Sequence, residues 1–139
     1  MPVPAREVEN FVQKYWAVAA AKDAEQQQVF YGNDAIVFTS TSKRAEPALL
    51  VSMQRRREYL SKDTKLRIHV AGIRVSAVGA DGAVAAYTLE FHAEKIPLHG
   101  AISKRPEEHL SNARVTQVLE RNEKGELKIV HEHISLATG

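Results

Sequence analysis

The chain has 139 residues, of which 44% are hydrophobic, and carries a formal net charge of +2, which predicts one globular domain over residues 1–139. The weak charge argues against nucleic acid or a membrane as a partner, and no apolar stretch approaches the roughly 20 residues that span a bilayer. The absence of cysteine excludes disulfides and zinc–thiolate sites and, with no apolar signal core at the N-terminus, favours a cytoplasmic protein.

A long amphipathic helix is predicted from Ala5 to Asp23. Its apolar residues recur at helical spacing and form one stripe: Val8, Phe11, Val12, Tyr15 and Ala19. Pro4 suits the first turn, and the stripe has to pack against another element. A second, shorter helix is predicted from Asp23 onward, and it ends at Gly32 and Asn33, which are typical helix terminators.

The middle of the chain changes from helices to strands. Ala35–Ser40 is β-branched and aromatic and predicts a short strand, whereas the apolar spacing between Leu49 and Leu60 predicts a third helix. From Lys65 onward the sequence alternates with a period of two, as in long strands. The alternation slips by one residue around Gly72, which indicates a β-bulge.

Tight turns join the later strands. Ala80–Gly82 and Asn122–Gly125 each separate two alternating segments, which predicts two antiparallel hairpins. Helices followed by a run of antiparallel strands predict an α+β fold with the helices on one face of a bent sheet. A sheet that bends around the first helix can leave a cavity between them, and small ligands bind in such cavities.

The last predicted strand, Lys128–Leu136, carries the most chemistry. Strict alternation puts four residues on one face: Ile129, His131, His133 and Ser135. The other face is apolar at Val130, Ile134 and Leu136. Because the helices cover the opposite side of the sheet, this apolar face predicts a homodimer formed through the sheet.

Three interpretations of the two histidines stay open. They could line a ligand pocket, or they could be neutral structural residues with a hydrogen-bond partner on each ring nitrogen, which we favour for His131. They could also bind a metal, but a metal site needs a third ligand, and only Glu90 and His92 are nearby candidates. No metal and no cofactor is therefore predicted. The face that Arg114 occupies on its strand also stays open.

Four segments of the sequence carry a resemblance to known proteins: FYGNDAIVFTS, AVAAYTLEF, NARVTQVLER and GELKIVHEHIS. They resemble the nuclear transport factor 2-like (SnoaL-like, cystatin-like α+β) superfamily, and within it most of all the association domain of calcium/calmodulin-dependent protein kinase II. The resemblance covers nearly the whole chain. It implies a cone-shaped domain in which a strongly bent mixed or antiparallel sheet wraps around the long N-terminal helix, with two further short helices.

The same resemblance implies a polar pocket for an anionic or carbonyl-bearing ligand. The residues that it assigns to this pocket are Tyr15, Tyr87, Arg114, His133 and Ser135. Two positions depart from the association domain. Leu127 replaces a tryptophan, and Leu89 stands where that domain has a second pocket arginine, which weakens the expected anion site.

The chain also resembles ketosteroid isomerase, in which Tyr15 matches the tyrosine that donates to the oxyanion. Thr39 stands at the position of the catalytic aspartate base, and Gln117 falls near the second oxyanion aspartate, so steroid isomerisation is not expected. The predicted function is a homo-oligomeric small-molecule-binding domain. The alternative is a small isomerase, cyclase or dehydratase that uses His133 and Tyr15 for acid–base chemistry without a cofactor.

Overall fold

The computed structural model describes residues 2–21, 24–38, 44–47, 64–95 and 108–136. The elements in these ranges are α1 (Ala5–Ala20), α2 (Ala24–Gln28), β1 (Tyr31–Phe38), β2 (Glu46–Pro47), β3 (Thr64–Val78), β4 (Gly82–Lys95), β5 (Glu108–Arg121) and β6 (Leu127–Leu136). The α+β class is confirmed. The third helix, predicted between Leu49 and Leu60, lies outside the described residues. Within the described ranges, neither helix is long and apolar enough to cross a membrane.

Helix α1 forms as its sequence predicts, although it ends at Ala20 rather than Asp23. Pro4 precedes it with φ −67°, and the Pro4 carbonyl accepts the first helical hydrogen bonds. The apolar stripe is buried at Val8, Val12, Tyr15 and Ala19, with Trp16 beside it, and Phe11 packs against the core. This stripe is the face that packs against the sheet.

The six described strands form one mixed sheet in the order β2-β1-β6-β5-β4-β3. Strand β1 runs parallel to β6, and every other pairing is antiparallel. We call the side that packs against α1 the inner face and the opposite side the outer face. The inner-face core of β4 and β5 consists of Ala83, Ala85, Tyr87, Leu89, Ala113, Val115 and Leu119.

The second helix is shorter than predicted because β1 begins earlier. Residues 24–28 are helical, and β1 starts at Tyr31 rather than Ala35. Tyr31 pairs with Ile129 of β6, and the Ile129 amide donates to the Phe30 carbonyl at 2.8 Å. This long-range pairing overrides the local preference for helix up to Gly32.

Three strand pairings contain a shift of register, and the shift in the pairing of β1 with β6 lies between Tyr31 and Ile36. The shift predicted in β3 is confirmed, with Gly72 at φ +66° between Ala71 and Arg74. A second shift, which strict alternation did not predict, lies in β6, where Leu119 pairs with Ile129 but Val118 pairs with His131. Val130 is therefore the extra residue of a β-bulge.

The bulge at Val130 corrects the predicted faces of the last strand. Before the bulge, the odd-numbered Ile129 lies on the inner face. After the bulge, the inner face carries even-numbered residues, Glu132 and Ile134. Ile134 packs against the core instead of facing a partner subunit. Val130 and Ile134 therefore do not form the exposed apolar face from which the homodimer was predicted. The dimer itself stays a prediction.

An ion pair connects the first turn of α1 to the end of β5. Arg121 donates from Nη1 and Nη2 to the two carboxylate oxygens of Glu7, both at 2.7 Å. This hydrogen-bonded guanidinium lowers the pKa of Glu7 despite the opposing effect of burial. Because both side chains are partly exposed, the pair fixes the helix position more than it stabilises the fold.

Candidate functional site

A group of polar and aromatic side chains lies on the inner face, between α1, α2 and the sheet. Its members are Tyr15, Trp16, Gln27, Tyr31, Tyr87, Gln117 and Glu132. None is more than 7% exposed. We call this group the buried network. The other buried side chains among the described residues are apolar, and buried polar groups need partners for their hydrogen bonds.

Glu132 is the acceptor at the centre of the buried network. Its side chain is 1% exposed. Oε1 accepts a hydrogen bond from the Tyr31 hydroxyl at 2.9 Å, and Oε2 accepts one from Gln117 Nε2 at 2.7 Å. The register pairs Gln117 directly with Glu132. A carboxylate in the interior is tolerated only when its oxygens are hydrogen-bonded in this way.

One hydrogen-bond chain reaches Glu132 from α2. Gln27 Nε2 donates to the Tyr15 hydroxyl at 3.1 Å, and the Tyr15 and Tyr31 hydroxyl oxygens are 2.5 Å apart. Each phenol carries one proton. Since the Tyr31 proton is donated to Glu132, the proton between the two phenols belongs to Tyr15.

A second chain reaches Glu132 from α1 and β4. Trp16 Nε1 donates to the Tyr87 hydroxyl at 2.7 Å, and Tyr87 donates to Gln117 Oε1 at 2.7 Å. Gln117 then donates to Glu132. The indole N–H can only donate, so the direction of this chain is fixed at its start. Both chains therefore point their donors toward one carboxylate.

The environment keeps Tyr31 protonated. Burial raises the pKa of the Tyr31 phenol well above 10.0, and the negative charge and hydrogen bond of Glu132 raise it further. A phenolate next to this carboxylate would place two negative charges in the interior. Tyr31 is consequently a hydrogen-bond donor at neutral pH.

The predicted pocket residues divide between the two faces of the sheet. Tyr15 and Tyr87 belong to the buried network. Arg114 and His133 are exposed on the outer face, and Ser135 pairs with Arg114 in the register. The prediction that all five converge on one pocket is wrong, because the bulge at Val130 reverses the later part of β6. Arg114 lies between Ala113 and Val115, which are both buried, and this settles which face it occupies.

The histidines contact an aromatic ring on the outer face. The Phe38 ring centroid lies 5.5 Å from that of His133 and 6.2 Å from that of His131. In the part of the chain that the structure describes, no three His, Cys, Asp or Glu side chains are grouped so that they could hold a metal ion.

Sequence reasoning named Gln117 only as the position of an absent aspartate, and it missed four further site residues: Trp16, Gln27, Tyr31 and Glu132. A signal existed for two of them. Gln117 interrupts the alternating apolar row of β5, so its side chain had to face the core. Ile129 and Ile134 are five positions apart, and this odd spacing of two apolar residues indicates a slip of phase between them.

A surface cleft of about 560 Å³ lies beside the buried network, where α2, β1 and the β5–β6 turn meet. Tyr31 lines the cleft and also belongs to the network. The two cationic side chains of the cleft are already engaged. Arg121 pairs with Glu7, and Lys128 Nζ donates to the Val29 carbonyl at 2.6 Å. The candidate site is therefore the network, and the cleft lies next to it.

Comparison with known proteins identifies a family. A model of the SnoaL-like domain matches residues 8–139. No curated protein matches the chain. A proposed calcium/calmodulin dependent protein kinase II association domain from Xanthomonas campestris is similar in structure, with a TM-score of 0.77 and 20% identity, over 97% of this chain and 89% of that one.

Two further solved structures share the fold. A proposed dehydratase from the NTF2-like family of Streptomyces avermitilis has a TM-score of 0.80 and 12% identity, over 96% of both chains. A protein with a cystatin-like fold from Caulobacter vibrioides has a TM-score of 0.72 and 15% identity, over 94% of this chain and 87% of that one. The resemblance inferred from the sequence is confirmed at the level of the fold.

The raised pKa of Tyr31 predicts a loss of stability in alkali. As the pH rises above 10.0, tyrosine in the unfolded chain ionises while Tyr31 in the folded chain stays protonated, so the free energy of unfolding falls. We expect this fall, measured by urea denaturation between about pH 9 and about pH 11, to be shallower in Tyr31→Phe. Equal slopes in the two proteins would contradict the prediction.

Proposed function

The chain belongs to the SnoaL-like domain family, and from this membership and the buried network we propose that it is a small-molecule-binding domain. The ligand site is the space between α1 and the inner face of the sheet, and its recognition groups are those of the network. Folds of this layout hold small ligands between the helix layer and the sheet.

The buried Glu132 carboxylate is the observation that carries the proposal. Removing a carboxylate from water costs several kcal/mol, and the hydrogen bonds that Glu132 accepts from Tyr31 and Gln117 offset that cost. An apolar side chain of similar size would fill the position without needing any partner. Groups whose pKa is shifted by burial and a charged neighbour, as that of Tyr31 is beside Glu132, are concentrated at functional sites.

We propose a neutral, carbonyl-bearing ligand in preference to an anion. The phenols of Tyr15 and Tyr87 can donate to a carbonyl oxygen when it replaces Tyr31 or Gln117 as their acceptor. Glu132 repels an anion on the inner face, and Arg114, the cation expected to attract one, is exposed on the outer face. Leu89 adds no charge to the inner face.

Thermal unfolding tests this choice with acetophenone, a neutral carbonyl compound, and benzoate, an anion of similar size. At a concentration near its dissociation constant, acetophenone is expected to raise the melting temperature by about 1–2 °C. Tyr15→Phe is expected to abolish this shift, because it removes the phenolic donor, whereas Arg114→Ala keeps it.

The opposite pattern would contradict the proposal. Stabilisation by benzoate that disappears in Arg114→Ala would assign ligand binding to an anion site on the outer face.

The alternative function is a cofactor-independent isomerase, cyclase or dehydratase. It is favoured by the hydrogen bonds that connect the Glu132 carboxylate to the phenols of Tyr31 and Tyr15. The carboxylate can accept a proton, and a phenol can donate one. In this alternative Glu132 takes the role that the sequence suggested for His133. One protein of the same fold is a proposed dehydratase.

Proton exchange distinguishes catalysis from binding. If Glu132 acts as a base, it removes a proton from the acetophenone methyl group while a phenol donates to the carbonyl oxygen, and in D₂O the methyl protons exchange for deuterium. Exchange followed by NMR is expected to be at least about 100-fold slower in Glu132→Gln. Wild-type exchange no faster than buffer alone would leave binding as the function.

We further propose that two copies associate through the outer face. The central rows of this face are apolar or weakly polar: Ile36, Phe38, Val84, Ala86, Thr116 and Val118. Ile36 is 46% exposed. Charged side chains surround these rows, at Arg74 on the edge strand, at Glu120 near a strand end and at Arg114, one row beyond Thr116 on β5. An apolar centre that lacks charges is typical of protein interfaces.

Light scattering measures the mass of the assembly. The wild-type protein is expected to be a dimer, and Ile36→Lys is expected to be a monomer because it places a charge in the centre of the interface. Val29→Lys is the matched control, since Val29 is 55% exposed but lies in the turn after α2. A monomeric wild-type protein would contradict the dimer.

A further inference from the structure

Gln27 is the member of the buried network whose side-chain amide makes a hydrogen bond with its nitrogen but not with its oxygen. Its side chain is 2% exposed. Nε2 donates to the Tyr15 hydroxyl at 3.1 Å, whereas Oε1 accepts no hydrogen bond from any described residue. A carbonyl oxygen buried without a donor is unfavourable and uncommon in folded proteins.

The orientation of this amide is dictated by the charge on Glu132. Glu132 requires a donor, so Tyr31 donates to it, and Tyr15 must then supply the proton between the two phenols. The Tyr15 oxygen is left to accept, and of the two polar atoms of the Gln27 amide only Nε2 can donate to it. Gln27 Oε1 is therefore the atom that takes no part in this series of hydrogen bonds.

From this polarity we infer that the ligand presents an N–H or O–H donor to Gln27 Oε1. The inference rests on the proposed function and adds the polarity of the contact. A ligand carbonyl has to compete with Tyr31 for the proton of Tyr15, whereas a ligand donor meets an acceptor that is free. Gln27 is thus a specificity-determining residue, and Glu132 is a positioning residue that acts through two phenols.

The ligand class that fits is a neutral molecule with at least one N–H or O–H group next to an apolar body. The apolar body matches the aromatic surroundings, since the Tyr15 ring packs edge-on against those of Trp16 and Phe30. A ligand that can only accept hydrogen bonds leaves Oε1 unpaired and loses affinity.

Indole and benzofuran test the inference because they have nearly the same shape. Indole carries an N–H donor where benzofuran carries an oxygen. Dissociation constants are measured by ligand-detected NMR titration with the full-length protein. Wild-type protein is expected to bind indole about tenfold more tightly, the ratio that one hydrogen bond to a buried acceptor gives.

Two variants locate the effect. Gln27→Met keeps the length of the side chain but removes the acceptor, so the ratio is expected to fall to within about twofold. Glu132→Gln should remove the preference without touching Gln27. Trp16 keeps the hydrogen bonds through Tyr87 and Gln117 in their direction, so the side-chain amide N–H at position 132 donates to Tyr31. Tyr31 then donates to Tyr15, and Tyr15 donates to Gln27 Oε1. The N–H of the Gln27 amide consequently points outward.

The outcomes are separable. Equal binding of the two compounds by the wild-type protein, or a tenfold preference that survives Gln27→Met, would overturn the inference and leave the proposed function standing. No binding of either compound at millimolar concentration would overturn the inference, whereas the proposed function is overturned by the acetophenone and benzoate experiment. Retention of the preference in a folded Glu132→Gln, with folding checked by circular dichroism, would overturn the role given to Glu132.

Discussion

Burial of the Glu132 carboxylate is the constraint on which the polar interior depends. A carboxylate can only accept hydrogen bonds, so each neighbour has to turn a donor toward it, and each of those neighbours then needs a donor of its own. The requirement passes through Tyr31 to Gln27 on one side and through Gln117 to Trp16 on the other. The charge on Glu132 sets the direction of the hydrogen bonds from Gln27 to Tyr31, and the indole N–H of Trp16, which can only donate, directs the other chain toward the same carboxylate.

The bulge at Val130 makes this arrangement possible. Without the extra residue, β6 would place His131 and His133 on the inner face and Glu132 on the outer one. With it, the same strand serves two surfaces, a carboxylate inside and two imidazoles outside beside Phe38. Bulges occur often next to functional sites because they redirect side chains without changing the fold.

Much of the fold was accessible from the sequence, because its signals are local. The α1 stripe and the slip at Gly72 both depend on the spacing of neighbouring residues, and both are confirmed. The slip in β6 carried a similar signal, in the odd separation of Ile129 and Ile134, but strict alternation assigned the faces wrongly. Gln27 could not be found in this way, since its burial depends on how a five-residue helix packs against distant elements.

The fold and the site of this chain agree with the resemblance to different degrees. The resemblance to the association domain is confirmed for the fold, but the positive charge that it implied inside the pocket is not found among the described buried residues. Leu89 is buried on the inner face, and Arg114 is exposed on the outer face. Among the described residues, the buried charged side chain is the carboxylate of Glu132. Because the hydrogen-bond polarity of the network follows from that charge, the ligand that we propose is neutral and donates a hydrogen bond.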